Sequence, residues 1–199
     1  MSLSKKMIKV ILASDSPRRR ELMPLLTGKH SFASPQVEEK LDPNLSPAEA
    51  AMDLAAKKAK SVMHKKLNPK HLVLGCDTII VLGDEIFGKP KDADDARRIL
   101  RKLEGKTHKV ITGCALVNQV YTEKFYDESE VTLTGLSDYS IDQYLREVDY
   151  TSYAGGYALQ ERNYNIVESY TGSAFNIVGF PFEIIADKYL ERVDRRLGV

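Results

Sequence analysis

The spacing of apolar and polar residues divides the chain into strand-like and helix-like segments that alternate along its length. Short apolar runs, and runs in which every second residue is apolar, predict strands, whereas apolar residues three and four positions apart predict helices. The Gly83-Asp84 pair between two apolar runs predicts a hairpin turn. The predicted strands are residues 7–13, 32–37, 72–82, 85–88, 109–120 and 124–133.

Capping residues mark where the predicted helices begin. Ser16-Pro17 and Ser46-Pro47 each place an N-cap serine before a proline at the first helical position, and Glu49 completes a capping box in the second case. Residues 150–173 are rich in glycine and tyrosine and predict loops with short strands. The predicted helices are residues 16–28, 46–66, 92–105, 137–148 and 181–197.

The interleaved strands and helices predict an α/β fold with a mixed sheet flanked by helices, because the hairpins exclude a purely parallel sheet. A length of 199 residues suits a single domain of one or two lobes. The chain is 43% hydrophobic and 29% charged, which is typical of a soluble globular protein. Its net charge of +1 gives no indication of a nucleic-acid or membrane partner, so any anion binding depends on local clusters.

The first apolar run and the two cysteines bear on the compartment. The run over residues 7–13 is interrupted by Lys9 and is too short for a signal sequence or a membrane span, so it predicts a strand in a cytoplasmic protein. Cys76 and Cys114 lie in apolar stretches without a CxxC pattern or a metal-ligand spacing. They predict two buried reduced thiols in preference to a disulfide.

Three consecutive arginines at the start of the first predicted helix indicate an anion. With Ser16 as N-cap, residues 18–20 occupy the second to fourth helical positions, where the helix dipole favours acidic side chains. Guanidinium groups beside free backbone N–H groups match the charge and fork geometry of a polyphosphate. The alternative is a solvated basic turn or a set of structural ion pairs.

Asp77 is the only carboxylate in the apolar run over residues 72–82. Burying an unpaired carboxylate costs several kcal/mol, so Asp77 is expected to be paired, bound to a metal, or placed at a cleft with a shifted pKa. Each of these environments is compatible with a general base. A buried aspartate that caps a turn is the structural alternative.

Further polar groups are informative only in combination, because each also has an ordinary structural interpretation. Glu38-Glu39 is a surface turn or a pair of magnesium ligands. Gln160, which follows a flexible glycine pair, is a loop residue or a reader of a base edge. Lys57 and Lys58 lie on the second helix, where a solvated face is the usual interpretation, and Lys89 lies in a rigid turn. His108 stands at the start of a strand, where a lone histidine is more often structural than catalytic.

Taken in chain order, these segments resemble the Maf family of nucleoside triphosphate pyrophosphatases. The opening LASDSPRRREL at residues 12–22 is similar to that family's LASxSPRRxxLL signature. The remaining similar motifs are VEE at 37–39, KA at 58–59, GCDT at 75–78, GKP at 88–90, HKVITG at 108–113, AGGYALQ at 154–160, GS at 172–173 and NIVGFP at 176–181.

The resemblance implies an elongated, two-lobed fold of the Maf/ITPase-like type with a central cleft, a divalent cation (Mg²⁺ or Mn²⁺) and, in many members, a homodimer. It implies that Asp77 is the proton acceptor and that Glu39 lies near the metal with it. The residues it places around the triphosphate are Ser14, Arg18, Arg19, Lys58 and Lys89, and those it places at specificity positions are Arg18, Thr78 and Gln160.

The chain departs from the family pattern around the glutamine motif. Ser152-Tyr153 stands where the family usually has Asp-Lys, Glu161 replaces a glycine, and Asp149-Tyr150 replaces Glu-Pro. The loop has therefore lost a charge pair, which puts its geometry, substrate range and rate in doubt.

The resulting hypothesis is hydrolysis of dTTP and UTP to the monophosphate and pyrophosphate. The Gln160 amide offers an acceptor and a donor that complement O4 and N3–H of uracil or thymine. The Tyr157-Ala-Leu-Gln160 spacing also resembles the dTTP/UTP branch of the family. The alternatives are the 7-methyl-GTP branch and a nucleotide-binding regulator of cell division with poor turnover.

Overall fold

The computed structural model describes residues 8–63, residue 68 and residues 71–197. Its elements in chain order are β1 (Val10–Ala13), α1 (Pro17–Leu26), β2 (His30–Ala33), α2 (Pro47–Ser61), β3 (Leu72–Leu82), β4 (Glu85–Phe87), α3 (Ala93–Leu103), β5 (Thr107–Val117), β6 (Thr122–Leu133), α4 (Asp138–Glu147), β7 (Val167–Thr171), α5 (Ala174–Ile177) and α6 (Phe182–Leu197). Single turns of 3-10 helix lie at Tyr150–Ser152, Ala154–Gly156 and Arg162–Tyr164.

The strands form a seven-stranded mixed sheet in the order β2-β1-β3-β5-β6-β7, with β4 paired to β3. With helices packed against its strands, this sheet confirms the predicted mixed α/β class. The chain divides into two compact units. The first unit contains Met1–Asp77, Thr112–Asp127 and Gly179–Val199, and the second contains Thr78–Ile111 and Glu128–Val178.

In the first unit, β1 lies parallel to both β2 and β3. Successive side chains of a strand point to opposite faces of a sheet. Val10 and Leu12 accordingly pack in a cluster with residues of α1 and α6. Ile11 and Ala13 pack with the alanines of α2. β1 is therefore covered on both faces, which explains why it is apolar without interruption.

In the second unit, the end of β3 forms an antiparallel hairpin with β4, in which Ile80 lies opposite Phe87. β6 and β7 are also antiparallel. A separate apolar cluster joins these strands to α3 and α4 through residues such as Leu100, Ile141 and Tyr144. Each unit thus has its own hydrophobic core.

The capping signals formed as predicted in most places. Ser46 and Glu49 make the reciprocal bonds of a capping box, and Asp92 and Ser137 cap α3 and α4 through their side chains. Ser16 is the N-cap of α1, but its side chain makes no capping hydrogen bond. The predicted hairpin turn is present, with Gly83 in the left-handed region at φ 59°.

The differences lie at the ends of elements and in short elements. The predicted strand over residues 32–37 is His30–Ala33, and the helix predicted to reach residue 66 ends at Ser61, with residues 64–67 outside the described part. Met7, the predicted start of the first strand, is also outside it. α5 was not predicted because four residues are too few to show a helical period. β7 was not located because four of its five residues are exposed, so no apolar alternation marks it.

Cys76 and Cys114 are free and buried, as predicted. Their sulfur atoms are 3.7 Å apart, which is a contact distance and not a bond. Burial raises the pKa of the Cys114 thiol well above its usual value. Within the described residues, no helix is both long enough and apolar enough to cross a membrane.

Candidate active site

Asp77 lies in the middle of β3 and faces α2. The alternation of side chains along a strand puts Asp77 on the same face as Val73 and Gly75. Val73 packs with the alanines of α2, so this is the face that the helix covers. Asp77 is only 6% exposed. The prediction of a buried carboxylate that needs a partner is therefore confirmed.

Two glycines let α2 lie directly on the strands. A Cβ atom at Gly75 would be 2.0 Å from the carbonyl oxygen of Ala55, and one at Gly113 would be 2.3 Å from the carbonyl carbon of Ala51. No side chain fits in either space. The close approach of helix and strand backbones is therefore encoded by glycine on the strands and alanine on the helix. Sequence reasoning did not assign this role to either glycine.

The partner of Asp77 is Lys58, which is 5% exposed on the inner face of α2. Its Nζ lies 2.7 Å from Oδ1 of Asp77 and 2.5 Å from Oε1 of Glu39. The adjacent Lys57 points outward and pairs with Asp53 at 2.8 Å. The prediction of a solvated helix face was right for Lys57 and wrong for Lys58. The available signal was the helical spacing, since Lys58 is three residues after Ala55 and shares its face.

One ammonium group thus holds two carboxylates together, and the first unit brings three candidate residues into contact. A charge at this depth needs an oppositely charged partner, because removing that partner leaves the charge in a poorly solvating interior. Glu39 is the more accessible end, with half of its side chain exposed. The cluster therefore runs from a buried carboxylate to one that solvent can reach.

Ser14 and the arginines lie at the junction of β1 and α1. Ser14 is buried, and its Oγ accepts a hydrogen bond from the backbone N–H of Ser16. Arg20 donates to the carbonyl of Ser14 at 2.9 Å, pairs with Asp15 at 2.7 Å and stacks over the ring of Phe32. The structural ion-pair interpretation is therefore correct for Arg20.

Arg19 makes two hydrogen bonds to backbone carbonyls of the first unit. Its Nε donates to the carbonyl of Gly179 at 2.7 Å and its Nη1 donates to the carbonyl of Cys76 at 2.8 Å. Arg18, the preceding residue, is half-buried near the start of the same helix. These contacts of Arg19 were not anticipated from the sequence, which offers no signal for a side chain bonded to distant main chain.

The second unit holds Thr78, Lys89 and Gln160. Thr78 is half-buried on β3, whereas Lys89 and Gln160 are exposed on loops. The backbone N–H of Gly155 donates to the carbonyl of Gly88 at 2.9 Å, so the turn that carries Lys89 is bonded to the loop that precedes Gln160. The two loops are therefore joined through their main chains.

Asp149 contributes to holding the loop over residues 149–161, which departs from the family pattern. Hydrogen bonds from Ser152 and Thr151, with a smaller contribution from the charge of Lys89, lower the pKa of the Asp149 carboxyl. The Ser152 hydroxyl donates to Oδ2 of Asp149 at 2.6 Å, and the Tyr153 hydroxyl lies 3.5 Å from Oε1 of Glu161. Residues that depart from the family pattern thus take part in contacts with one another.

The loop is anchored by a buried pair of aromatic rings. Nε2 of His108 lies 2.6 Å from the hydroxyl of Tyr157, and both residues are less than 5% exposed. Burial lowers the pKa of His108 to about 4, so its imidazole is neutral near pH 7. Tyr157 precedes Gln160 by three residues, and burial raises the pKa of its phenol. The prediction that His108 is structural agrees with this environment.

Comparison with known proteins adds an independent line of evidence. The fold and the buried cluster define a mixed α/β protein in which a lysine on a helix contacts one carboxylate on a strand and a second on the segment before that helix. A family model described as "Maf-like protein" matches residues 9–191, and the chain belongs to the Maf family.

Relatives that cover most of the chain include two dTTP/UTP pyrophosphatases from Bacillus species. The dTTP/UTP pyrophosphatase of Bacillus pumilus (strain SAFR-032) is 38% identical over 175 residues, which are 88% of this chain and 92% of that protein. The dTTP/UTP pyrophosphatase of Bacillus cytotoxicus (strain DSM 22905 / CIP 110041 / 391-98 / NVH 391-98) is 39% identical over 175 residues, which are 88% of this chain and 91% of that protein. A solved structure, protein VC0702 from Vibrio cholerae, is 12% identical with a TM-score of 0.33 and covers 71% of this chain and 72% of that one; a likeness this low supports no argument.

Proposed function

We propose that the protein is a nucleoside triphosphate pyrophosphatase that hydrolyses dTTP and UTP to the monophosphate and pyrophosphate. The observation that carries the proposal is the buried contact of Lys58 with both Asp77 and Glu39. The comparisons support the substrate class, because the chain belongs to the Maf family and relatives of it are named as dTTP/UTP pyrophosphatases.

In the proposed reaction, Asp77 accepts a proton from the attacking water. A carboxylate can act as a general base when it is ionised and fixed within hydrogen-bond reach of the proton that it removes. Lys58 fixes Asp77 by its 2.7 Å contact. The water attacks the α-phosphorus in line, the bond to the bridging oxygen breaks, and pyrophosphate leaves. Both cysteines are buried with their sulfur atoms in contact with each other, so we assign no covalent step to a thiol.

Glu39 and Asp77 are suited to hold a magnesium ion. Their oxygens contact the same ammonium nitrogen, so the two carboxylates converge on one small region. No group of three or more potential metal-ligating side chains occurs among the residues that the structure describes. Mg²⁺ is commonly held by one or two carboxylates and completes its shell with water and substrate phosphates. When bound, it would neutralise charge on the phosphate oxygens and acidify water.

The triphosphate is proposed to bind through Ser14, Arg18 and Lys89. Arg18 lies at the second position of α1, where backbone N–H groups at the helix start favour an anion. Lys89 is exposed on its turn, so its ammonium is accessible to a phosphate. Such cationic groups stabilise the charge that develops on the leaving pyrophosphate. Thr78 and Gln160 are proposed to contact the base.

The test is a panel of nucleotides with the purified protein, with and without magnesium or manganese. We expect metal-dependent release of pyrophosphate, not orthophosphate, with dTTP and UTP as the best substrates. If 7-methyl-GTP is the best substrate, the protein belongs to the other branch. Tight nucleotide binding without turnover on any member of the panel would instead identify a regulator.

A further inference from the structure

We infer that Arg19 is a positioning residue that fixes the direction of Asp77, and not a ligand of the triphosphate. The inference rests on the proposed function of the same site. Arg19 is the third residue of α1, and its guanidinium bonds to the carbonyls of Cys76 and Gly179. These acceptors are 57 and 160 residues away in the chain. One side chain thus joins three segments of the first unit.

The bond to Cys76 acts on Asp77 through the peptide plane. The carbonyl of Cys76 and the N–H of Asp77 belong to the same peptide unit, which is planar. Holding that carbonyl at 2.8 Å from the Arg19 Nη1 therefore restricts rotation of the unit that leads into Asp77. Because the backbone at Asp77 is held, the Cα–Cβ bond that carries the carboxylate keeps one direction.

The position of Cys76 in the sheet explains why a side chain, and not a neighbouring strand, donates to its carbonyl. The parallel ladder between β1 and β3 ends where Ala13 lies opposite Gly75. Cys76 is the next residue, so β1 offers it no strand partner. A buried backbone carbonyl requires a donor. Arg19 supplies that donor, with a charge-assisted bond that is stronger than a bond between neutral groups.

The second bond sets the orientation of the guanidinium. Its N–H donors form a rigid planar fork, so binding two acceptors on different nitrogens leaves a single orientation of the plane. Gly179 has a φ of 90°, a conformation that favours glycine, and its carbonyl accepts from Nε at 2.7 Å. A lysine would retain the charge but has no planar fork with which to meet both carbonyls.

The experiment compares Arg19 with its neighbour Arg18. Arg19→Met keeps the length of the apolar stem and removes the donors, Arg19→Lys keeps the charge, and Arg18→Met is the matched control. For each variant, kcat and KM are measured with UTP and magnesium, together with the Kd of the non-hydrolysable α,β-imido analogue of UTP and the Tm.

If Arg19 positions Asp77, both Arg19 variants should lose roughly tenfold to hundredfold in kcat, the scale expected for a misplaced catalytic group. KM and the analogue Kd should change by less than about threefold, and lysine should not rescue kcat. Arg18→Met should instead raise KM and the analogue Kd.

A rise in KM and Kd for Arg19→Met that Arg19→Lys partly reverses would show a phosphate ligand and overturn the inference. A fall in Tm with unchanged kcat of the folded protein would overturn it in favour of a purely structural role. If Arg19→Met does not fold, Arg19→Lys alone distinguishes the two roles. A positioning residue predicts a lower kcat with a nearly unchanged KM, whereas a phosphate ligand predicts a raised KM. Failure of the wild-type protein to release pyrophosphate would refute the proposed function itself, a different result from either of these.

Discussion

The two units present their candidate residues in different ways. In the first unit, Asp77 and Lys58 are buried on a strand and a helix, and their contact is held by close packing of α2 on β3. In the second unit, Lys89 and Gln160 are exposed on loops, which are joined through the main chain of Gly88 and Gly155. The first unit fixes charges inside a core, whereas the second displays polar groups at the surface.

This difference indicates which residues tolerate substitution. A buried charge pair tolerates little change, because losing one partner leaves the other unmatched. Loops tolerate substitution far better than the elements that they connect. The departures from the family pattern at Ser152, Tyr153 and Glu161 all fall in the second unit. Under the proposed function, proton transfer belongs to residues of the first unit and selection of the base to residues of the second.

The largest expected effect comes from Asp77→Asn, which keeps the shape of the side chain and removes its basicity. We expect a loss of roughly 100-fold or more in kcat, with nucleotide binding largely retained. Asp53→Asn is the matched control on α2, since Asp53 pairs with Lys57 and Lys124 away from the cluster. Steady-state kinetics with dTTP provide the measurement. A kcat close to wild type in the Asp77 variant would remove this residue from the mechanism.

Because His108 of the second unit is buried, we expect the free energy of unfolding to depend on pH. Burial lowers its pKa from 6.5 to about 4, so between these values the unfolded chain binds a proton that the folded chain does not. The contribution of His108 to the free energy of unfolding is therefore fully present above pH 6.5 and is lost as the pH falls toward 4. The maximum loss is about 3 kcal/mol.

Urea unfolding at intervals between pH 7.5 and 4 measures this slope. His108→Asn should be less stable than wild type at pH 7.5, because the hydroxyl of Tyr157 loses its partner, but its stability should fall less steeply with acid. Parallel slopes for the two proteins would show that His108 does not titrate in this range.

A smaller effect is expected from Gln160→Ala, which tests the base-reading role of the second unit. Wild-type protein should prefer dTTP and UTP over dATP and dGTP by about tenfold or more in kcat/KM, since unpaired polar groups in a closed site cost about 1–3 kcal/mol. The alanine variant should lose most of this preference. The exposed Gln143 of α4 provides a matched control, Gln143→Ala, with unchanged preference. Discrimination by Gln160→Ala equal to that of wild type would exclude Gln160 as the base reader.

The smallest effect is expected from restoring the family's charge pair with Ser152→Asp and Tyr153→Lys together. An accessible ion pair contributes only about 0–1 kcal/mol, so the restored pair itself should add little to the free energy of unfolding. Any loss of stability should come from Tyr153, which is half-buried against the core of the second unit. KM or substrate preference should change more, because the double variant breaks the bond from Ser152 to Asp149 and the contact of Tyr153 with Glu161. A large loss of stability with unaltered kinetics would show that this loop is structural.

The elements whose signals are local could be predicted from the sequence. The Ser46 and Glu49 capping box, the turn at Gly83 and the apolar run of β3 each depend on neighbouring residues, and each formed as predicted. The same apolar run also showed that Asp77 needs a partner, because the cost of burying an unpaired carboxylate does not depend on the fold.

The identity of that partner depends on how the elements pack together. Lys57 and Lys58 are adjacent and chemically identical, and the packing of α2 on Gly75 and Gly113 selects the second of them for burial. The bonds of Arg19 likewise depend on where β1 ends beside β3 and on where the chain returns to the first unit before α6. Contacts between segments that are far apart in the chain also require the order of the strands, which a local pattern of residues does not encode.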